Sequence, residues 1–386
     1  MQVLSKADAR KLHSSLRILI AEEDVLLPSE TQLQELVSRA FWASLEKEEG
    51  RPSIFALCFS PPNASKMSQP LIFEELQDLN VPNIVKLFPA LLPGRRAIGV
   101  QADAREELEI WGMLPLPNPG LTVEAVGPGH IAVRFLGRNR MVLRSGETTI
   151  LRNDHSDNLI LILITLSEQE WEVTMSLALL AEALKKIIDT MVQQAHGGTL
   201  LWIPEGVDWQ SSVKSIRYLC KPPYRELAEY IDKLTTEPLT ETSFGREDHR
   251  NSPLYEQLNL YMQEIKPTLD GIAQLTAVDG AMVLSEGLEV LAFGVMLKSE
   301  DRLTQRSAAV LELGRYTENA GDKLEIRSVP LSKLGGARHR SAAEFCCVHK
   351  RALAFVASQD GTLTVFGWQT VSDRLFAVRR AELDSL

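Results

Sequence analysis

Apolar residues follow two different spacings in the first 170 positions. Around 33–45 they recur every three or four residues, which predicts an amphipathic helix, and Ser29 and Gln32 have capping-box spacing at its start. The segment 71–92 also has helical spacing. Short apolar runs separated by turn residues predict strands at 53–59 and between 97 and 151. We therefore predict that residues 1–170 form an α+β, strand-rich regulatory or sensor module.

The second half alternates longer helical patterns with short apolar runs. Positions 173–194 have the strongest helical spacing, and 199–203 read as a buried strand. Further strands are predicted on both sides of Asp279, whereas the charged segment 298–323 predicts a loop. This alternation is typical of a layered α/β (α+β) domain, in which helices flank a mixed sheet. We place that domain at 171–386.

Composition narrows the class of protein. The chain has 386 residues, of which 45% are hydrophobic and 24% charged, as in ordinary globular proteins. A net charge of −10 makes nucleic acid an unexpected partner, since its binders are usually basic. The start is polar, and the longest aliphatic run is too short to span a bilayer. We therefore expect a cytoplasmic protein with no membrane segment and with reduced cysteines.

A basic turn is the first candidate for chemistry. Arg338, His339 and Arg340 follow Gly335 and Gly336 and precede a helix-compatible segment. A helix start presents unpaired N–H groups and a positive dipole end, so this turn predicts an anion site, most naturally for phosphate. A solvated basic surface turn is the equally weighted alternative.

An acidic turn, Asp279-Gly280-Ala281, is the second candidate for chemistry, because it offers the carboxylate that the basic turn lacks. A carboxylate can hold a divalent ion that bridges phosphates, and the two small residues let a ribose or base approach the backbone. The alternative is a plain hairpin turn. Ser341 and Ser358 offer hydroxyl groups to phosphate oxygens.

Other polar segments give weaker signals. Asp360-Gly361 is more readily a hairpin turn than a catalytic element. The Gly-Pro-Gly-His segment at 127–130 does not by itself indicate a site, because a lone histidine beside a turn is usually structural. The sequence contains no phosphate-binding loop of Walker type, no H-E-x-x-H and no G-x-S-x-G.

The acidic turn, two apolar strands and then Gly336-x-Arg-His-Arg-x-Ala occur in the order found in a known family. This arrangement resembles the diadenylate cyclase (DAC) domain of the DNA-integrity-scanning type, over about 175–370. The stretch 43–51 and the strand-rich module resemble the DACNV-type branch of predicted sensors.

The resemblance implies a nucleotidyltransferase that condenses two ATP into cyclic di-AMP and pyrophosphate across a face-to-face homo-oligomer, with Mg²⁺ or Mn²⁺. Asp279 would be catalytic and hold the metal, and Asp360 would stand for a second catalytic acid. The implied nucleotide-binding residues are Gly280, Ala281, Leu297, Gly336, Arg338, His339, Arg340, Ser341 and Ser358.

Three departures from the family pattern keep a second function open. Ala337 replaces a threonine, Gln359-Asp360 replaces an acidic pair, and an insertion at about 298–328 lengthens the spacer. The alternative is a non-catalytic sensor that uses the same pocket to bind ATP or a cyclic dinucleotide and signals through 1–170.

Overall fold

The computed structural model describes residues 3–20, 26–62, 69–91, 96–116, 120–135, 138–144, 146–151, 175–194, 196–236, 262–298, 307–316, 324–370 and 372–382. The chain divides into two compact units, Met1–Ser156 and Asp157–Ser385. The predicted boundary between 170 and 171 lies outside the described residues.

In its described residues the N-terminal unit combines three helices with one large sheet. Its helices are α1 (Lys6–Leu19), α2 (Glu30–Leu45) and α3 (Val81–Leu87). Its strands are β1 (Lys47–Glu48), β2 (Arg51–Pro52), β3 (Phe55–Phe59), β4 (Leu71–Asp78), β5 (Arg96–Ala102), β6 (Leu108–Pro115), β7 (Leu121–Gly127), β8 (His130–Phe135), β9 (Arg138–Arg144) and β10 (Glu147–Ile150). The sheet order is β10-β9-β8-β7-β3-β5-β6-β4, and β1 pairs with β2 separately.

The helices cover one face of this sheet. Successive residues of β3 point to opposite faces, so Leu57 joins the main core with α1 and α2, whereas Cys58 joins a smaller cluster around Trp111. The predicted capping box of α2 is confirmed, because Ser29 and Gln32 exchange backbone-to-side-chain hydrogen bonds of 2.8 and 3.3 Å.

The C-terminal unit has a larger mixed sheet. Its helices are α4 (Met175–Gln193), α5 (Glu226–Thr236), α6 (Lys266–Gln274) and α7 (Ala337–Val348). Its strands are β11 (Gly198–Ile203), β12 (Val213–Tyr224), β13 (Ala281–Ser285), β14 (Val290–Leu297), β15 (Ser307–Tyr316), β16 (Leu324–Pro330), β17 (Leu353–Ala357), β18 (Leu363–Gln369) and β19 (Arg374–Arg379). The sheet order is β12-β14-β13-β11-β17-β18-β19-β15-β16.

Helices pack on both faces of this second sheet. Alternate residues of β11 separate the two cores: Leu200 packs with α4 and α6, and Leu201 packs with α7. Strand β11 is parallel to β13 and antiparallel to β17, so the sheet is mixed. The predicted fold class, a layered mixed sheet flanked by helices with a strand-rich α+β module before it, is confirmed.

Several sequence-based assignments were wrong, and some elements, among them α1 and β19, were not predicted. The predicted helix at 71–92 is instead the edge strand β4 followed by α3. The strand was not recognised because most of its residues are exposed and its sequence shows no strict alternation. The predicted strand before Asp279 is the end of α6 and a 3-10 turn, Leu275–Ala277. The predicted loop at 298–323 contains β15, which pairs with β19. Strand β12 was not predicted; its prolines suit an edge position.

The described helices were also compared with the length and hydropathy that a bilayer span requires. None of them is both long enough and apolar enough to cross a membrane.

Candidate functional site

A cavity of about 300 Å³ lies in the C-terminal unit where α7 begins. The neighbouring strands β11, β13 and β14 supply the rest of its wall. The lining residues are Thr199, Asp279, Gly280, Ala281, Val295, Met296, Leu297, Ala337, Arg338, Arg340 and Ser341. Seven of the predicted site residues therefore line one cavity: Asp279, Gly280, Ala281, Leu297, Arg338, Arg340 and Ser341.

The acidic wall depends on a tight backbone approach. Asp279 follows the 3-10 turn after α6 and directly precedes Gly280 and β13. Gly280 has φ +111°, and a Cβ there would lie 2.7 Å from the carbonyl carbon of Gly294 and 2.8 Å from the amide nitrogen of Val295. A side chain cannot be accommodated at this approach, so glycine is required for the local path that presents Asp279.

The basic wall is the first turn of α7. Gly336 is its N-cap residue, and no side chain caps the helix start. The first N–H groups of a helix have no intrahelical partner, and the dipole adds positive potential there. Arg338 and Arg340 add two cationic side chains beside this helix end, so the wall favours an anion.

Arg338 connects the two walls. Its Nη2 lies 3.6 Å from Oδ1 of Asp279, and the two side chains are 44% and 76% exposed. A pair this exposed contributes little to folding stability, so its interest is the juxtaposition of opposite charges. Gly197, with φ +69°, gives the guanidinium room: a Cβ there would lie 3.3 Å from Nη1.

His339 is predicted to bind phosphate, but it is not among the residues that line the cavity. Its ring lies edge-on to Phe366, with centroids 6.2 Å apart, and a Cβ on Gly335 would lie 2.8 Å from its Cγ. Burial lowers the pKa of His339 and nearby Arg379 lowers it further, whereas Asp360 opposes both. A neutral imidazole beside the helix start is therefore favoured.

Ser358 and Asp360 form the β17–β18 turn and do not line the cavity. The Ser358 amide donates to the carbonyl oxygen of Thr362 at 2.8 Å. Oδ1 of Asp360 accepts from the amide of Thr362 at 3.1 Å and from its hydroxyl at 2.9 Å. These bonds agree with the hairpin alternative. The catalytic roles of Asp279 and Asp360, and the binding roles of all the predicted residues inside and outside the lining, stay predictions.

Sequence reasoning missed Thr199, Val295, Met296 and Gly197. Thr199 reaches the cavity because it is the register partner of Ala281 in the parallel β11–β13 pair. Its sequence signal is its place at the start of the strand predicted at 199–203. The wall residues Val295 and Met296 adjoin the predicted Leu297 on β14.

The donor set for a divalent ion is small. Asp279 is the one carboxylate among the described lining residues, and the described part of the chain contains no cluster of three or more His, Cys, Asp or Glu suited to a metal. Mg²⁺ is commonly held by one or two carboxylates together with substrate phosphates and water. Asp279 therefore fits an ion that arrives with a phosphorylated ligand.

Comparisons with known proteins bear mainly on the N-terminal unit. Residues 22–115 match the family model described as "Probable sensor domain DACNV", which confirms the predicted resemblance over that segment. A crystal structure of a double mutant of DacA from Staphylococcus aureus is similar over 54% of this chain and 91% of that chain, at 15% identity. The TM-score of this match is 0.24. The functionally curated proteins include no match.

Proposed function

We propose that the C-terminal unit binds a nucleotide, ATP or a cyclic dinucleotide, in the cavity at the start of α7. The observation that carries this proposal is the 3.6 Å juxtaposition of Asp279 and Arg338 in a cavity that the first turn of α7 also lines. A phosphate-specific site needs cationic groups and N–H donors, and a divalent ion needs a carboxylate nearby. Arg338 and the first turn of α7 fit the first requirement, and Asp279, in the same cavity, fits the second.

The cavity residues divide into charged and apolar contributions. Arg338 and Arg340 would donate to phosphate oxygens, with the N–H groups of the first turn of α7 beside them. Asp279 would hold the divalent ion together with those oxygens; when bound, the ion supplies charge neutralisation. The β14 side, through Val295 and Leu297, offers an apolar wall for a base or ribose.

A non-catalytic sensor is the form of this function that the geometry supports best. Asp360, which the resemblance offers as a second catalytic acid, accepts two hydrogen bonds from Thr362 in a turn outside the cavity lining. Ala337 lines the cavity without a hydroxyl group to offer a phosphate. The DACNV match over 22–115 supports a sensing role for the N-terminal unit.

Diadenylate cyclase activity is the second candidate function, and the exposed position of Asp279 in the cavity lining favours it. Its side chain lines the cavity and is 76% exposed, so a second nucleotide has access to it. In that reaction each 3′-hydroxyl attacks the α-phosphate of the other ATP, and one cyclic di-AMP and two pyrophosphates form. The reaction would require two copies of the chain with opposed cavities.

Calorimetric titration of the full chain with ATP and with cyclic di-AMP tests the binding proposal. We expect Arg338→Ala to weaken binding roughly tenfold or more, because it removes charge-assisted hydrogen bonds to phosphate. Arg351→Ala is the matched control: Arg351 is exposed and donates to the carbonyl oxygen of Glu205. Equal affinity in wild type and Arg338→Ala would reject the site.

Product analysis separates the two forms of the proposal. Protein that binds ATP is incubated with ATP and Mg²⁺ or Mn²⁺, and the products are separated by chromatography. Absence of cyclic di-AMP would exclude cyclase activity and leave the non-catalytic sensor as the proposed function. Formation of cyclic di-AMP that Asp279→Asn abolishes would establish the enzyme.

A further inference from the structure

A second cavity, of about 480 Å³, lies within the N-terminal unit. It is formed where the β7–β8 and β9–β10 turns approach α2. Its lining residues are Phe41, Gly127, Pro128, Gly129, His130, Arg144 and Gly146. The proposed nucleotide site uses none of these residues, so an inference about this cavity is independent of that proposal.

His130 and Arg144 form the polar part of the lining. His130 directly precedes Ile131 and Arg144 directly follows Leu143, and Ile131 and Leu143 are register partners in the antiparallel β8–β9 pair. The two side chains therefore start from adjacent positions at the same end of neighbouring strands. The lining residues that the structure describes include no acidic residue, while Glu147, the register partner of Arg144 on β10, is not among them.

The imidazole of His130 has an unmet hydrogen-bonding need. Its Nε2 is buried and has no hydrogen-bond partner among the described residues. Burial lowers the pKa of His130 to about 4, and the charge of Arg144 contributes to the shift, so the ring is neutral near pH 7. A neutral imidazole keeps one N–H donor, and buried polar groups normally have partners.

The remaining lining residues leave space instead of filling it. Gly146 has φ +79°, and a Cβ built on it meets no atom within 4 Å. Gly129 has φ +67°; its amide donates to Oγ of Ser44 at 2.9 Å, which fixes the turn against α2. The ring of Phe41 lies 3.6 Å from the Cβ position of Gly129 and gives the cavity an apolar wall.

We propose that this cavity binds a small organic oxyanion. Its carboxylate or phosphate group would accept hydrogen bonds from Arg144 and His130, and its apolar body would lie against Phe41. Arginine offers the planar fork of donors that matches both kinds of oxyanion. The volume exceeds that of a bare inorganic ion, which is why the ligand carries an organic group.

Titration calorimetry of the full chain with four probes tests the proposal: phenyl phosphate, benzoate, inorganic phosphate and the neutral benzamide. We expect phenyl phosphate or benzoate to bind and benzamide not to bind. Arg144→Gln should weaken that binding at least tenfold, whereas Arg105→Gln, which removes the same charge from an exposed loop of the same unit, should not.

Further variants locate the binding and remain informative if Arg144→Gln does not fold. Arg144→Lys keeps the charge but loses the fork, and it should still weaken binding several-fold. Phe41→Leu should weaken phenyl phosphate more than inorganic phosphate. Arg338→Ala should leave phenyl phosphate binding unchanged, because Arg338 belongs to the other unit.

Each outcome decides for or against the oxyanion site. Binding of phenyl phosphate alone identifies a phosphorylated ligand, and binding of benzoate alone identifies a carboxylate. If no probe binds at millimolar concentration, the proposal is wrong. It is equally wrong if Arg144→Gln and Arg144→Lys both bind like wild type, or if Arg338→Ala abolishes the binding.

Discussion

The two cavities both contain glycine and arginine, but their glycines act in opposite ways. In the C-terminal cavity a Cβ on Gly280 would lie 2.7 Å from backbone, and one on Gly197 would lie 3.3 Å from the Arg338 guanidinium. In the N-terminal cavity a Cβ on Gly146 would meet nothing within 4 Å. Glycine thus fixes a close approach in one site and leaves room for a ligand in the other.

The charges differ as well. The C-terminal cavity sets Asp279 opposite Arg338, whereas the described lining of the N-terminal cavity contains Arg144 and no carboxylate. A lining that contains a carboxylate suits a ligand that brings a metal ion, and a lining without one suits a ligand that does not. The comparison predicts metal-dependent binding in one unit and metal-independent binding in the other.

The largest expected effect is that of Gly280→Ala. The new methyl group would collide with the backbone of Gly294 and Val295, and φ +111° is unfavourable for alanine. Overpacking and backbone strain together should lower the free energy of unfolding by about 3 kcal/mol. Denaturant unfolding of the C-terminal unit measures this loss.

Gly271→Ala is the matched control for Gly280→Ala. Gly271 lies within α6, and a Cβ there meets no atom within 4 Å, so the substitution should stabilise the unit by about 0.5–1 kcal/mol. If the two variants were equally stable, the close approach at Gly280 would not be what shapes the acidic wall.

The sequence predicted the two charged walls because each is encoded by neighbouring residues. Asp279-Gly280 and Gly336-Ala337-Arg338 carry their chemistry within a few positions. Thr199 could not be found in this way, since it reaches the cavity only through the register of β11 with β13. The exclusion of His339 from the lining likewise depends on helix phase and on Phe366, which local sequence does not specify.

The same distinction explains the errors in the fold. Strand β4 was mistaken for a helix because its apolar residues, Leu71, Ile72 and Leu76, are exposed at a sheet edge and follow no core-facing alternation. Strand β15 was mistaken for a loop because its pairing with β19 is distant in sequence. Elements whose apolar residues are mostly buried, such as α2 and the strands β5–β8, were predicted correctly.

The second prediction concerns pH and the N-terminal cavity. The pKa of His130 is lowered from 6.5 to about 4, first by burial and then by Arg144. As the pH falls from 6.5 towards 4, the unfolded chain takes up a proton that the folded site resists, so stability falls. After a discount for solvent screening the loss should be on the order of 2 kcal/mol.

Hydrogen exchange of β7 and β8 amides between pH 7 and pH 4.5 measures this loss, with His130→Gln as the comparison. The variant lacks the titrating ring and should lose less stability over the same interval. An identical loss in both proteins would contradict the assignment. By contrast, the pKa of His339 is lowered by burial and by Arg379, and the charge of Asp360 partly offsets this lowering.

The third prediction is a reversal of sign for Asp279→Asn. Without divalent ions the substitution removes a negative charge near the phosphates and releases Arg338, so ATP should bind several-fold more tightly, about 1 kcal/mol. With Mg²⁺ present the lost carboxylate should weaken ATP binding by a similar factor. Calorimetry in chelator and in Mg²⁺ measures both values.

Asp208→Asn controls for the change in net charge, because Asp208 lies in the same unit but outside the cavity lining. Phenyl phosphate binding to the N-terminal cavity should be the same with and without Mg²⁺ in both variants. A shift of ATP affinity in one direction under both conditions would show that Asp279 does not hold the ion.

The smallest expected effect is that of Gly197→Ala, paired with Gly206→Ala. Both glycines have positive φ, +69° and +80°, so both substitutions should cost about 1 kcal/mol of stability through backbone strain. Only the methyl group at position 197 meets Arg338, whereas the one at 206 meets nothing within 4 Å. Gly197→Ala should therefore weaken ATP binding two- to threefold, roughly 0.5 kcal/mol, and Gly206→Ala should leave it unchanged. Equal ATP affinities in the two variants would mean that the guanidinium adjusts freely, and that close packing does not preorganise this wall.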